Sequence, residues 1–304
     1  MDILLLLKTI VMGIVEGLTE FLPISSTGHL IVADALLNFS ASIGGERTAK
    51  TFEIFIQLGA ILAVVVYFAR DLATLLRRAL REDAARRVLV NVAIAFVPAA
   101  AIGFLAKDFI KSVLFSTPTV GVALILGGIV MLWTEDRERR INRHAINNFE
   151  KNAIAQQVVI AKLGALLVGS SGNLELMTTR QALTVGIAQV VALVPGMSRS
   201  AWTLIGGLLA GLDRSTALRF SFYLSIPTLG VATVYDFLKN RDAISATALP
   251  MFVIGAAVAF VVALVVVRFF LSYVSQRNLK PFAWYRIGAG VVLLALVAAG
   301  VVKL

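Results

Sequence analysis

Glu16-Gly-Leu-Thr-Glu20-Phe-Leu-Pro-Ile-Ser25-Ser26-Thr27-Gly-His29 lies inside an apolar segment running from Ile3 to Leu37. Seven of its fourteen side chains (Glu16, Thr19, Glu20, Ser25, Ser26, Thr27 and His29) can handle protons, metal or phosphate. The sequence on either side is as apolar as lipid. An ionisable residue in hydrocarbon is costly and therefore a functional candidate by default. Pro23 argues against one straight helix through the segment. It predicts a helix, a turn and a second helix, with irregular backbone facing a cavity.

The rest of the chain puts this stretch in a membrane. Its 304 residues are 59% hydrophobic, and mean hydropathy is +0.88. Soluble domains are about 45–50% apolar. The absence of cysteine excludes disulfide and thiolate chemistry. A net charge of +10 could indicate nucleic-acid binding. Here the basic residues cluster in short loops, as the positive-inside rule expects, so no nucleic-acid partner is read. Met1-Asp-Ile lacks the basic start of a signal peptide, so the first apolar stretch is expected to stay in the mature chain.

Six spans are predicted, at about 52–69, 88–106, 118–133, 220–237, 249–271 and 281–302. Their lengths suit a hydrocarbon core of about 30 Å. Pro98 is expected to kink the second. Polar loops are expected at 39–51, 70–87, 107–117 and 135–143. The 70–87 stretch carries six arginines against three acids and should be cytoplasmic. His144 falls in a basic loop and reads as solvated. Residues 153–168, mixed with Gln156, Gln157 and Lys162, read as an amphipathic surface helix.

A second interrupted apolar segment spans 181–211 and breaks at Pro195-Gly196. It aligns with the first at an offset of 173: Gly13 with Gly186, Glu16 with Gln189, Ser25 with Ser198, and Thr27 with Ser200. An odd number of spans separates the two segments, and the basic loops 70–87, 135–143 and 272–280 fall on one side. The halves are therefore read as inverted repeats, with a site where the broken helices meet. The predicted fold is an all-α polytopic membrane protein with an inverted-topology repeat, two re-entrant helical hairpins and six transmembrane helices. It forms one integral membrane domain over 1–304: repeat 1 at 1–134, a cytoplasmic loop or insertion at 135–180, and repeat 2 at 181–304.

Glu16 and Glu20, four apart, share one helical face. They suit a divalent cation such as Mg²⁺ or Ca²⁺, or a pair in which one carboxylate acts as base. Of Ser25, Ser26 and Thr27, one can serve as an N-cap. His29 lies within a helical turn of Ser25 and Ser26. The second tip reads Pro195-Gly-Met-Ser198-Arg199-Ser200-Ala-Trp-Thr203. Its hydroxyls and free amides make an anion site, and Arg199 offers a fork matching phosphate. A salt bridge from Arg199 to Glu16 or Glu20 is the plainer alternative. Together the tips ask for a phosphorylated or pyrophosphorylated ligand, and a site within lipid adds a lipid tail.

The two motifs resemble those of the bacterial undecaprenyl-diphosphatase family of the bacitracin-resistance type. So do Thr48-Ala-Lys-Thr-Phe-Glu-Ile-Phe-Ile-Gln57 and Pro281-Phe-Ala-Trp-Tyr-Arg286. The resemblance covers nearly the whole chain and is weakest at 137–178. It implies hydrolysis of undecaprenyl pyrophosphate, a polyprenyl pyrophosphate lipid, to the monophosphate and inorganic phosphate. It further implies recycling of the carrier for the cell wall, bacitracin resistance, and divalent-cation dependence. The expected location is the bacterial plasma (inner) membrane, among its lipids, with the site on the outer, periplasmic side. By motif position, Glu16 and Glu20 are acid/base or metal residues, Arg199 the phosphate clamp, and Ser26 or His29 the nucleophile. Ser25, Thr27, Ser198, Ser200 and Thr203 complete the phosphate site. The alternative class is an inverted-repeat secondary transporter or a lipid-carrier flippase. A homodimer stays open.

Overall fold

Asp2 caps the first helix by accepting the Leu4 amide at 2.9 Å. The helix, α1 (Ile3–Thr19), ends in the turn holding Pro23, and α2 (Ser26–Leu37) packs back against it. The structure, a computed structural model, describes residues 2–114, 116–151, 173–240, 242, 244 and 248–302. There follow α3 (Phe39–Ile43), α4 (Glu46–Tyr67), α5 (Ala69–Ala79), α6 (Asp83–Leu105) and the one-turn α7 (Lys107–Phe109). Next come α8 (Thr117–Lys151), then α9 (Thr179–Val191) and α10 (Arg199–Leu209), which pack together as α1 and α2 do. Last come α11 (Arg214–Asn240), α12 (Leu249–Gln276) and α13 (Lys280–Ala298). The described residues hold no strand.

The helices long and apolar enough to cross a membrane are α4, α6, α8 as far as Ile141, α11, α12 and α13. They match the six predicted spans. Pro98 lies inside α6 without ending it.

Several expected loops are helical instead. Residues 39–51 hold α3 and the start of α4, and residues 107–117 hold α7 and a π turn at Ile110–Leu114. The 135–143 stretch continues α8. Residues 70–87 are mostly α5 and the start of α6. Charge does not oppose helix, because arginine is a good helix former. In α5, Leu75 and Ala79 are buried while Arg77 and Arg78 sit in the last turn, where the helix dipole favours cations. The surface helix expected over 153–168 lies outside the described residues, as does the side chain of His144.

Each broken segment packs on a span from the other half. A Cβ on Gly13 of α1 would stand 2.7 Å from the Gly255 carbonyl oxygen of α12. A Cβ on Gly186 of α9 would stand 2.6 Å from the Ala95 carbonyl oxygen of α6. Glycine at these aligned positions allows the backbones to touch. Apolar packing fills the space behind the tips, with Phe21 against Phe222 at 5.5 Å between ring centroids.

The basic stretches meet in one charged belt. Arg214 forks onto Glu135 at 2.7 and 2.8 Å and reaches Glu138 at 2.6 Å. Glu135, fully buried, also accepts the Leu279 amide at 2.9 Å. Arg219 pairs with Asp71, and Lys280 with Asp136, each at 2.6 Å.

Candidate active site

The two breaks bring the tips of the helix pairs into contact. Ser200 of α10 donates its hydroxyl to the Leu22 carbonyl at 2.9 Å. Ser25 and Ser198, aligned in sequence, occupy the same rare conformation. Ser25 has φ 73 and ψ 103, and Ser198 has φ 69 and ψ 112. Each immediately precedes the second helix of its pair. Positive φ in a non-glycine residue costs on the order of 1–3 kcal/mol and persists only where the surroundings enforce it. Ser198 also caps α10, accepting the Ala201 amide at 3.3 Å, whereas Ser25 makes no such side-chain cap.

Glu20 joins the halves. One carboxylate oxygen accepts the Ser26 hydroxyl at 2.6 Å, and the other accepts an Arg199 N–H at 3.4 Å. Arg199 also donates to the Ser221 carbonyl at 3.2 Å, and its guanidinium lies 5.6 Å from the Phe21 ring centroid. Its Nε is buried without a hydrogen-bond partner among the described residues. The ion pair weighed as the plainer reading of Arg199 is thus present, to Glu20 and not to Glu16. It does not exhaust the guanidinium, which also borders the cavity between the tips.

That cavity has a volume of about 170 Å³. Ser25, Ser26 and Thr27 line it from one tip and Ser198 and Arg199 from the other, with Glu20 beside them. Gln57, Gly196 and Leu229 also face it. Pockets that swallow whole drug-sized ligands run to about 300–1,000 Å³. This one has room for a small polar head group, and a long apolar chain would have to lie outside it.

Four candidates do not line the cavity. Thr203 is buried behind Arg199, bonded to its carbonyl at 2.9 Å and to the Ser221 hydroxyl at 2.6 Å. Ser200 is spent on Leu22 and on Ser198, whose hydroxyl oxygen is 3.0 Å away. Glu16 is 1% exposed, and its Oε1 has no hydrogen-bond partner among the described residues.

His29 is the fourth. Its Nδ1 lies 2.7 Å from the Ser25 carbonyl, which can only accept, so Nδ1 carries the proton. In the neutral ring Nε2 then accepts from the Tyr285 hydroxyl at 2.6 Å. The two rings stack at 5.6 Å. Neither nitrogen has a free lone pair directed at the cavity.

Among the described residues no three or more His, Cys, Asp or Glu side chains cluster as a ready metal site. The donors are nonetheless of the right kind for a hard cation. Glu16 holds a buried carboxylate oxygen that is otherwise unsatisfied, Glu20 is one turn away, and Glu53 of α4 is close enough for its charge to act on Glu16. Mg²⁺ commonly uses one or two protein carboxylates and completes its shell with water and substrate phosphate.

Gln57, Tyr285 and Arg286 were not singled out from the sequence as site residues. Arg286 is fully buried and donates to backbone carbonyls of both tips, at Pro23 and Gly196.

The chain is similar to known proteins over nearly its whole length. The model of one family, bacitracin resistance protein BacA, matches residues 9–292. The chain is 44% identical to an undecaprenyl-diphosphatase of Nitrosomonas europaea over 302 residues, covering 99% of this chain and 98% of the relative. It is 45% identical to one of Cupriavidus metallidurans over 303 residues, covering 100% and 99%. A third, from Dechloromonas aromatica, is 45% identical over 295 residues, covering 97% and 96%.

Proposed function

The chain belongs to the BacA bacitracin-resistance family, and from that membership and the cavity between its tips we propose that it hydrolyses undecaprenyl pyrophosphate. The products are undecaprenyl phosphate and inorganic phosphate, which returns the lipid carrier to cell-wall synthesis and confers bacitracin resistance. The observation that carries the reading is the Ser26–Glu20–Arg199 chain: a hydroxyl on a carboxylate at 2.6 Å, and that carboxylate on an arginine at 3.4 Å, all at one cavity. Neither a transporter nor a flippase requires a serine hydroxyl held on a carboxylate.

The pyrophosphate enters the cavity and the polyprenyl chain stays between helices in lipid. Arg199 turns a guanidinium edge to the phosphate oxygens, assisted by the hydroxyls of Ser25, Thr27 and Ser198. Phosphoryl transfer is mostly such positioning and charge stabilisation. Glu20 takes the Ser26 proton as the Ser26 oxygen bonds to the terminal phosphorus. The bond from that phosphorus to the bridging oxygen breaks, and undecaprenyl phosphate leaves carrying the proton that Glu20 took up. Glu20, a carboxylate again, deprotonates the water that attacks the phosphoserine; the phosphorus–Ser26 oxygen bond breaks, inorganic phosphate leaves, and Glu20 returns that proton to the Ser26 oxygen. Glu16 and Glu20 would hold a divalent cation, which supplies charge neutralisation at the phosphate oxygens. Ser26 is favoured over His29 as nucleophile because both nitrogens of His29 are engaged away from the cavity.

The shared Ser25 and Ser198 conformation and the exchanged packing of α1 on α12 and α9 on α6 support an inverted repeat with two re-entrant pairs. The charged belt, rich in arginine, is assigned to the cytoplasm and the N-terminal face to the outside of the plasma membrane. Trapping the phospho-enzyme tests the nucleophile. An acid-stable adduct lost in Ser26→Ala is expected; an acid-labile adduct lost in His29→Ala would refute the serine route.

A further inference from the structure

The largest fully buried side chain of the described residues is a charged one. Arg286, on α13, has 0% exposure. It donates to the Pro23 carbonyl of the first tip at 3.2 Å, to the Gly196 carbonyl of the second at 3.0 Å, and to Ala123 of α8 at 3.3 Å. All three acceptors are backbone carbonyls, and the described residues give it no carboxylate within salt-bridge distance. Burying an unpaired guanidinium carries a heavy desolvation penalty. Packing alone would be served by an apolar side chain of similar volume.

The surroundings are shaped around this group. A Cβ on Gly127 of α8 would stand 2.1 Å from Arg286 Nη2, so glycine leaves the space that the guanidinium fills. Gly196, with φ 94, turns its carbonyl to Arg286 while bordering the cavity. The preceding residue, Tyr285, reaches the first tip by a second route: its hydroxyl holds His29, whose Nδ1 holds the Ser25 carbonyl. Ser25 has a positive φ, which in a non-glycine residue persists only where it is over-determined, while Gly196 takes its positive φ freely and is fixed by its contacts. One helix thus grips both tips at the residues whose conformation shapes the cavity.

We infer that Arg286 is a positioning residue that ties the two tips together across the cavity, with Tyr285 and His29 as a second strand of the same tie. It does not touch substrate. It sets the separation of Ser26, on one tip, from Arg199, on the other. A displacement of about 1 Å between reacting groups can cost on the order of 100-fold in rate.

The kinetic part of the test rests on the hydrolase reading; the distance part does not. The chain has no cysteine, so Leu18→Cys and Ile187→Cys give two spin-label sites, one on α1 and one on α9, both at exposed side chains. In the purified full-length protein, Arg286→Gln is expected to broaden the label–label distance distribution. It should also lower kcat for phosphate release by about 100-fold, with KM within about threefold. Arg286→Lys, which keeps the charge and fewer donors, should recover part of both, and Tyr285→Phe should give a milder form of the same pattern. Where Arg286→Gln does not fold, Arg286→Lys carries the test: a broadened distribution with lowered kcat is expected. A distribution and kcat equal to wild type in a folded Arg286 variant would overturn the tie. A raised KM with kcat intact would overturn it too, since that marks direct substrate binding. Absence of phosphate release by the wild-type protein counts against the hydrolase reading alone, and the distance distribution then decides the tie.

Discussion

Ser26 and Arg199 hold corresponding positions in the two broken segments, each the first residue of the second helix, and both bond the same carboxylate, that of Glu20, at 2.6 and 3.4 Å. Glu20 is thereby placed to accept a proton from the serine and to release the arginine to an incoming phosphate. The two roles separate in mutants. Glu20→Gln keeps the size and loses the base, and should lower kcat by about 100- to 10,000-fold, the range of a general base. Steady-state phosphate release measures this directly.

Ser26→Ala should lose at least about 1,000-fold in kcat, as for a nucleophile. His29→Ala should lose only about 10- to 100-fold, as for a group that supports the Ser25 turn. The reverse order in side-by-side kinetics would move the nucleophile to His29.

Glu16 has a buried oxygen without a partner among the described residues, which a cation would satisfy. A chelator should therefore abolish turnover, and readdition of Mg²⁺ or Ca²⁺ should restore it. In Glu16→Gln the cation concentration giving half-maximal rate should rise at least about tenfold. Full activity in chelator would exclude the cation from the reaction.

Gly127→Ala forces a Cβ to within 2.1 Å of Arg286 Nη2. Overpacking of this kind costs about 1–3 kcal/mol. The variant should show a lowered Tm in detergent together with lowered kcat, because the guanidinium cannot shift without releasing a tip. An unchanged Tm would mean that the Arg286 guanidinium shifts freely.

In the charged belt, Glu135 is fully buried and Arg214 is its partner. Leaving a buried charge unpaired costs about 3–5 kcal/mol. Glu138 remains as a second acceptor for Arg214, so Glu135→Ala should cost about 3 kcal/mol by denaturation in detergent, at the low end of that range. The belt lies apart from the cavity, and KM should stay within about twofold of wild type.

Much of this was legible because charge in an apolar run is conspicuous. Glu16, Glu20 and Arg199 announce themselves, and the Pro23 and Pro195 breaks place them at turns. Arg286 sent the same signal, a single arginine within an apolar span, but its partners are backbone carbonyls, which no sequence pattern identifies. The positive φ of Ser25 and Ser198 could not be read, because serine does not mark that conformation as glycine does. Charge alone makes the arginine-rich stretch at 70–87 look like a loop, and the burial of Leu75 and Ala79 on one face of α5 makes it a helix. Motif position makes His29 a nucleophile candidate beside Ser26; its Tyr285 partner lies 256 positions away, beyond any local reading.

The most direct measurement is inorganic phosphate released from undecaprenyl pyrophosphate by the purified protein in detergent, run alongside Arg199→Ala. Wild type should release one phosphate for each undecaprenyl phosphate formed, and Arg199→Ala should fall by at least about 100- to 1,000-fold, the effect of losing one charge-stabilising donor. No release by wild type, or wild-type turnover in Arg199→Ala, would contradict a phosphate-handling centre assembled from the two tips.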